Sequence, residues 1–107
     1  MTVFNIETYV VKSEKRDEFN PALHEFLNYK EEHPALFEGL LSWKLFQQEY
    51  GGIANLYIEM WEFEDLAAME TISARIFNDE GMKKISKGFH QLVEPTTFST
   101  HIWRPIA

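Results

Sequence analysis

The alternation of two hydrophobic periodicities along the chain is the feature that most restricts how it can fold. In four segments, apolar or β-branched residues recur at every second position, which is typical of strands. In three others they recur at every third or fourth position, which is typical of helices with one buried face. The strand-like segments are residues 2–12, 40–50, 53–63 and 96–106, and the helical segments are residues 13–32, 64–78 and 81–93.

This order predicts an α+β fold of the ferredoxin-like βαββαβ type. With right-handed crossovers, the first and third strands lie at the centre of an antiparallel sheet and the helices cover one of its faces. The other face of the sheet is left bare. A chain of 107 residues can bury a single two-layer core, so we expect one domain over residues 1–107.

Local signals mark the ends of the first helix. Ser13 is a suitable N-cap, and the His33-Pro34 pair ends the helical pattern. Pro21 lies inside the segment and lacks a backbone N–H. We therefore expect either a kink there or a new helix start with Asn20 as its cap.

Composition excludes several classes of function. The net charge is −7 and no Lys/Arg cluster is present, which disfavours nucleic acid as a partner because phosphate neutralisation supplies most of that affinity. No apolar run reaches the ~20 residues that span a bilayer, so no membrane partner is expected. The chain has no Cys, which removes disulfides and thiolate chemistry. A cytoplasmic location is the expectation that follows.

The glycine pair Gly51-Gly52 predicts a register for the second and third strands. If the two glycines form a two-residue hairpin loop, Tyr50 faces Ile53 and Lys44 faces Glu59. In this register the apolar pairs collect on one face, and the Lys44–Glu59 charge pair closes on the other.

The face predicted to be bare is unusually aromatic. Contiguous exposed aromatic area indicates an interface or a ligand site. We therefore expect two subunits to stack these faces as a homodimer and to enclose a cavity that holds a small molecule. The residues assigned to this face are Asn5, Glu7, Tyr9, Ser42, Lys44, Phe46, Asn55, Tyr57, Glu59, Trp61, Ser99, His101 and Trp103.

Two short segments carry a resemblance to a known group of proteins. Residues 49–55 (EYGGIAN) and 60–66 (MWEFEDL) are similar to the hairpin and following helix start of NIPSNAP-type and antibiotic-biosynthesis-monooxygenase-type proteins. These belong to the dimeric α/β-barrel superfamily, in which two ferredoxin-like subunits form one barrel. The resemblance implies this fold and a homodimer. The superfamily includes cofactor-independent oxygenases and haem degraders, so the resemblance leaves the activity open.

The haem-degrading branch is not matched at its functional positions. Its members use an Asn on the first strand, which Asn5 could imitate. They also use a Trp and a His on the helix after the third strand. Those positions fall near Met69 and Ile85, so both residues are missing. No cofactor is therefore expected.

Three residues are candidates for catalysis, namely Glu7, Glu59 and His101. The first and third strands are neighbours, so the two carboxylates can approach each other and one of them could serve as a general base. Alternatively, Glu59 only pairs with Lys44 across the strands, and Glu7 and His101 only form hydrogen bonds. A metal site is not favoured, because no close His/carboxylate spacing exists within one element.

The remaining site candidates form the wall of the cavity. His90 is not among them, because it is expected to face solvent, opposite the apolar stripe of its helix. The residues predicted to contact a ligand are Asn5, Tyr9, Lys44, Phe46, Asn55, Tyr57, Trp61 and Trp103.

Three functions remain open at this point. The first is a homodimeric small-molecule-binding protein for an elongated apolar ligand with an acidic, fatty-acid-like head held by Lys44 or His101. The second is a cofactor-independent monooxygenase-like enzyme for an aromatic or polyketide-like substrate. The third is a structural dimer without a ligand. The first is preferred, because the predicted face carries too many polar groups for a dry interface.

Overall fold

A computed structural model describes residues 2–107. Three short 3-10 turns, at Ser13–Lys15, Pro34–Phe37 and Pro95–Thr97, join the main elements. The main elements in chain order are β1 (Val3–Val10), α1 (Arg16–Glu32), β2 (Ser42–Gln47), β3 (Leu56–Phe63), α2 (Leu66–Phe77), α3 (Glu80–His90) and β4 (Ser99–Trp103).

The four strands form one antiparallel sheet in the order β2-β3-β1-β4. The helices pack on a single face of this sheet, so the predicted ferredoxin-like α+β fold is confirmed. Side chains alternate between the two faces along each strand. We call the face beneath the helices the covered face and the opposite one the open face.

The helices begin at capping residues. Asp65 accepts a hydrogen bond from the backbone N–H of Ala68 and starts α2, and Asp79 accepts one from the N–H of Met82 and starts α3. Ser13 is not the cap of α1, because it opens the 3-10 turn that precedes the helix. Pro21 lies inside α1 without dividing it. Only one helical bond, to the carbonyl four residues earlier, is lost there.

The predicted hairpin register is wrong by one residue. Trp43 pairs with Trp61, Leu45 with Glu59, and Lys44 with Met60. The connection is wider than two residues because residues 48–55 all lie outside the strands, and Gly51 and Asn55 adopt positive φ angles of 127° and 63°. A shift of one residue moves every side chain of a strand to the opposite face. Relative to β2, the shift brings Glu59 and Trp61 to the same face as Trp43 and Leu45, beneath the helices, and the predicted Lys44–Glu59 pair does not form.

The faces of β1 and β3 are the reverse of those predicted. Tyr9 and Trp61, which were expected on the bare face, are buried beneath the helices, with Tyr9 only 1% exposed. Both sides of these central strands carry large apolar residues, so alternation alone could not determine which side is covered. On β4 the prediction is confirmed, because His101 lies on the open face opposite Ile6.

The core under the helices has two parts. One cluster centres on Trp61, Phe63 and Ile76, and the other on Tyr9 and Phe19. On β1, Val3 belongs to the first cluster and Tyr9 to the second, with Glu7 between them. A polar position thus interrupts the apolar core at the middle of the sheet.

Candidate functional site

A cavity of about 90 Å³ lies where the two core clusters meet, between the sheet and the helices α1 and α3. Its wall is predominantly aromatic, with two carboxylates and one imidazole among the polar groups. The lining residues are Glu7, Tyr9, Phe19, Ala22, Leu23, Phe26, Trp43, Leu45, Glu59, Trp61, Phe77, Met82, Ile85, Ser86, Phe89, His90 and Phe98.

Three donors hold the Glu59 carboxylate in place. The Tyr9 hydroxyl donates to Oε2 at 2.7 Å, and the indole N–H groups of Trp43 and Trp61 donate to Oε1 at 3.1 and 3.2 Å. Burial raises the pKa of Glu59, while these three hydrogen bonds lower it in part. The carboxylate is thus an acceptor whose orientation is fixed from three sides.

Glu7 faces Glu59 directly across the β1/β3 ladder. Its pKa is raised from 4.5 to about 7, first by burial and then by the charge of Glu59, with the Trp61 indole N–H opposing the rise. A carboxyl group of this kind exchanges a proton near neutral pH. Two like carboxyl groups placed in different surroundings are a common basis for acid–base chemistry.

Tyr9 stays protonated and serves as a donor. Its pKa is raised well above the ordinary value by burial and by the charge of Glu59. The ring is fixed edge-on against Phe89, with centroids 4.9 Å apart, and stacks near Phe98 at 6.1 Å. These contacts aim the hydroxyl at Glu59 and connect the carboxylate to the second core cluster.

His90 supplies the one imidazole of the cavity wall. It is exposed at the C-terminal end of α3, and Nδ1 lies 2.7 Å from the carbonyl oxygen of Ser86. Because a carbonyl oxygen only accepts, Nδ1 carries a hydrogen. In the neutral imidazole, Nε2 therefore has the free lone pair. A positive charge on His90 lowers the pKa of Glu59, so the ring is electrostatically linked to the buried pair.

The structure brings four of the predicted site residues to the cavity, namely Glu7, Tyr9, Glu59 and Trp61. The polar arrangement differs from the predicted one, because Glu59 is paired with Tyr9 and the two indoles instead of with Lys44. The wall lies within a single chain, beneath the helices, whereas the prediction placed it on the bare face.

The other predicted residues lie elsewhere. Tyr57 is on the covered face, where it stacks on Phe19 at 4.4 Å, outside the cavity wall. Asn5 lies beside Trp61 in the ladder, and its Oδ1 is buried without a hydrogen-bond partner. Asn55 ends the hairpin connection. The predicted residues on the open face, away from the cavity, are Lys44, Phe46, His101 and Trp103.

Several wall residues were not predicted. Trp43 was missed because it was assigned to the helix-covered core, while the site was predicted on the bare face. Phe19, Phe26 and Phe89 lie on the apolar stripes of α1 and α3. There the sequence does not distinguish a residue packed in the core from one that lines a cavity. His90 was expected to face solvent. It is exposed, yet its position beside the stripe residue Phe89 also brings it to the cavity.

Within residues 2–107, no group of three or more His, Asp and Glu side chains is arranged to hold a metal ion. The Glu59 carboxylate of the cavity accepts hydrogen bonds from aromatic donors.

No helix within residues 2–107 is both long enough and apolar enough to span a membrane.

Comparisons with known proteins identify the fold. No family profile matches the sequence, and no curated protein matches it. A NIPSNAP family protein from Agrobacterium tumefaciens is similar in structure with a TM-score of 0.76 and 17% identity, over 97% of this chain and 85% of that one. A second NIPSNAP family protein of unknown function from the same organism gives 0.74 and 20%, over 97% and 87%.

A further similar structure is a putative antibiotic biosynthesis monooxygenase from Bacteroides thetaiotaomicron. Its TM-score is 0.71 at 17% identity, over 99% of this chain and 90% of that one. The chain has the fold of these proteins. The resemblance drawn from residues 49–55 and 60–66 is therefore confirmed at the level of the fold, which hosts more than one function.

Proposed function

We propose that the protein binds a compact, largely apolar small molecule in the cavity beneath α1 and α3, and that Glu7 acts there as a general base. The observation that carries this proposal is the Glu7–Glu59 pair. One carboxylate is held by three donors, and the other has a pKa of about 7. General bases work best when their pKa lies near the operating pH.

The size of the cavity restricts the ligand. Pockets for drug-sized molecules begin at about 300 Å³, whereas this cavity measures about 90 Å³. An engineered cavity of about 150 Å³ binds benzene. The cavity therefore suits one small ring, or one end of a longer molecule, with a slight outward movement of the wall.

The charge of the wall does not favour a fatty-acid-like ligand. No Lys or Arg lines the cavity. Lys44 and His101, which were expected to anchor an acidic head, lie on the open face. A carboxylate ligand would meet Glu7 and Glu59 without a compensating cation, and burying an unpaired charge is costly.

The chemistry we propose is removal of a proton from a C–H or O–H group of the ligand by ionised Glu7. Glu59, held by Tyr9 and the two indoles, would keep its position while Glu7 changes charge. The apolar wall excludes water, which strengthens these interactions during the transfer.

A cofactor-independent oxygenase is the second candidate. The similarity in fold to a putative antibiotic biosynthesis monooxygenase and the buried base together favour it. In this reaction, Glu7 takes a proton from an activated CH₂ group of the substrate, and the resulting carbanion reduces O₂. The carbon then becomes C=O as one oxygen atom leaves as water.

We further propose that the protein is a homodimer joined through the open faces. Phe46 and Trp103, on the two edge strands of this face, are 48% and 64% exposed, and large apolar side chains exposed on one sheet face favour an interface. A dimer that is purely structural is disfavoured by the cavity inside each subunit. A cytoplasmic location stays a prediction.

The experiment that tests proton transfer is deuterium exchange into phenylacetone, a one-ring ketone with an acidic C–H group. In D₂O, the protein should accelerate exchange, and the rate should rise with pH through about 7 as Glu7 ionises. Glu7→Gln should abolish the acceleration, and Glu62→Gln on the open face should keep it. Equal rates with and without the protein would contradict the proposed base.

A further inference from the structure

A groove on the outside of the molecule runs along the cavity. It lies between α1 and α3 and is lined in part by Asp17, Glu18 and Glu25. Ala22, Ile85 and Phe89 line both the groove and the cavity. The α1–α3 seam, which contains the small Ala22, therefore separates the groove from the cavity.

The two spaces share a single sign of charge. The cavity contains Glu7 and Glu59, the groove contains three further carboxylates, and neither is lined by Lys or Arg. Glu18 is paired with Lys15 at 3.3 Å. Within residues 2–107, Asp17 and Glu25 take part in no ion pair. A molecule that approaches along this seam therefore moves through a negative potential, which raises the local concentration of cations.

The interior wall also suits a cation. Phe26 lies 5.2 Å from Trp43 and 6.0 Å from Trp61 between ring centroids, and Phe77 lies 6.0 Å from Trp61. Aromatic enclosures of this kind bind organic ammonium groups by cation–π attraction. The buried carboxylates add a direct charge partner in a medium of low dielectric constant.

We propose that the ligand of the cavity is an organic cation, an amine attached to a single small ring, that enters through the groove between α1 and α3. The inference rests on the proposed small-molecule site and specifies its substrate class. The ring lies among the aromatic side chains, and the ammonium group faces Glu7 and Glu59.

Because protons and the ligand bind to linked groups, the affinity for a cation should depend on pH in a characteristic way. The titratable groups that face the cavity are Glu7 and Tyr9 on β1, Glu59 on β3 and His90 on α3. A bound cation favours ionised Glu7, so binding expels the proton that Glu7 holds below about pH 7. The affinity for a cation therefore rises with pH across this range. The affinity for a neutral ligand does not depend on the charge of Glu7, and the affinity for an anion falls as Glu7 ionises.

The test compares benzylamine, benzyl alcohol and benzoate, three one-ring probes of similar size that are cationic, neutral and anionic at neutral pH. Binding is followed by the fluorescence of Trp43 and Trp61 and by NMR chemical shifts. We expect benzylamine to bind about tenfold more tightly than benzyl alcohol at pH 8, and benzoate to bind most weakly. The advantage of benzylamine should shrink between pH 8 and pH 5.5, and Glu7→Gln should weaken that pH dependence.

A charge reversal tests the route of entry. Glu25→Lys should slow the association of benzylamine severalfold, whereas Glu31→Lys, on another face of the same helix, should leave the rate unchanged. If benzyl alcohol or benzoate binds as tightly as benzylamine, the cation inference is wrong and the cavity remains a binding site. If none of the three binds, the proposed small-molecule function fails as well. Equal association rates in the two lysine variants would overturn the groove as the entrance.

Discussion

At the scale of single residues, Glu7 and Glu59 are the same type of side chain in two different settings. Glu59 receives three hydrogen bonds from aromatic donors. Burial and the charge of Glu59 raise the pKa of Glu7, on the neighbouring strand, to about 7. The two residues are of the same type, so the different hydrogen-bond donors around them account for their different proposed roles. Glu59 is held in position, and Glu7 is the proposed base.

The raised pKa of Glu7 predicts how stability depends on pH. Between about pH 4.5 and 7 the unfolded chain releases this proton while the folded protein keeps it. The free energy of unfolding must therefore fall as pH rises through this window. From 1.36 kcal/mol per pKa unit, the loss is about 3 kcal/mol as an upper value. Denaturant titrations of the wild type at pH 5 and pH 8 measure it.

The matched variants for this prediction are Glu7→Gln and Glu62→Gln. The first should lose most of the pH-dependent destabilisation, because Gln does not ionise. A smaller slope should remain, since burial also raises the pKa of Glu59. Glu62→Gln, on the open face, should behave as the wild type does. A slope that persists unchanged in Glu7→Gln would assign the effect to another group.

The adjacency of Glu7 and Glu59 could be predicted from the sequence, since alternation and strand order place them side by side. The hydrogen-bond partners of Glu59 could not be predicted. Tyr9 and Trp61 were assigned as cavity wall, but their bonds to Glu59 depend on which face of the sheet the helices cover. His90 is at the edge of an apolar stripe. At such a position, residue spacing does not show whether a side chain faces solvent or lines the opening of a cavity.

At the scale of elements, one contact joins α1 to the start of α3. The Tyr29 hydroxyl donates to the Asp79 cap at 2.5 Å. A side chain at Gly81 would overlap the Tyr29 hydroxyl and ring, whereas Gly88 on the same helix has open space around it. A glycine is therefore required by packing at position 81 of α3, whereas a larger side chain fits at position 88.

We predict that Gly81→Ala and Gly88→Ala change stability in opposite directions. Gly88→Ala should stabilise the protein by up to about 1 kcal/mol, because Ala is the better helix former. Gly81→Ala should destabilise it by about 1–2 kcal/mol, since Tyr29 must leave the Asp79 cap. Thermal or denaturant unfolding measures both.

A third variant checks the cause of the Gly81 effect. In a Tyr29→Leu background the obstructing hydroxyl is gone, so Gly81→Ala should no longer be harmful. If Gly81→Ala and Gly88→Ala have the same effect in the wild type, the packing of Tyr29 against Gly81 does not restrict this helix.

The strand order and helix positions could be predicted because they depend on periodicity, which the sequence displays directly. The hairpin register could not. A Gly51-Gly52 pair fits a two-residue loop, but the positive φ of Asn55 extends the connection and moves the pairing by one residue. One residue was enough to move Glu59 and Trp61 to the same face as Trp43, away from Lys44.

At the scale of the whole molecule, the cavity and the open face are separate surfaces. The sequence suggested one shared site between two subunits, because Glu59 and Trp61 were assigned to the same face as Phe46 and Trp103. The structure divides this set between the two faces. Ligand binding and subunit pairing are therefore predicted to be separable by mutation.

We predict a homodimer in solution that Phe46→Glu or Trp103→Glu converts to monomer, because a charge on the open face opposes its burial. Light scattering coupled to size exclusion measures the mass. Tyr50→Glu, in the hairpin connection, is the control and should remain dimeric. A wild-type monomer would show that the open face is not a subunit interface.

The most direct test of the central claim is an NMR titration of the Glu side-chain carboxyl carbons between pH 3 and pH 9. We predict one carboxyl resonance with a midpoint near 7 that is missing from the spectrum of Glu7→Gln. If the Glu7 resonance titrates at the ordinary value near 4.5, it is no base at neutral pH and the proposed chemistry is wrong.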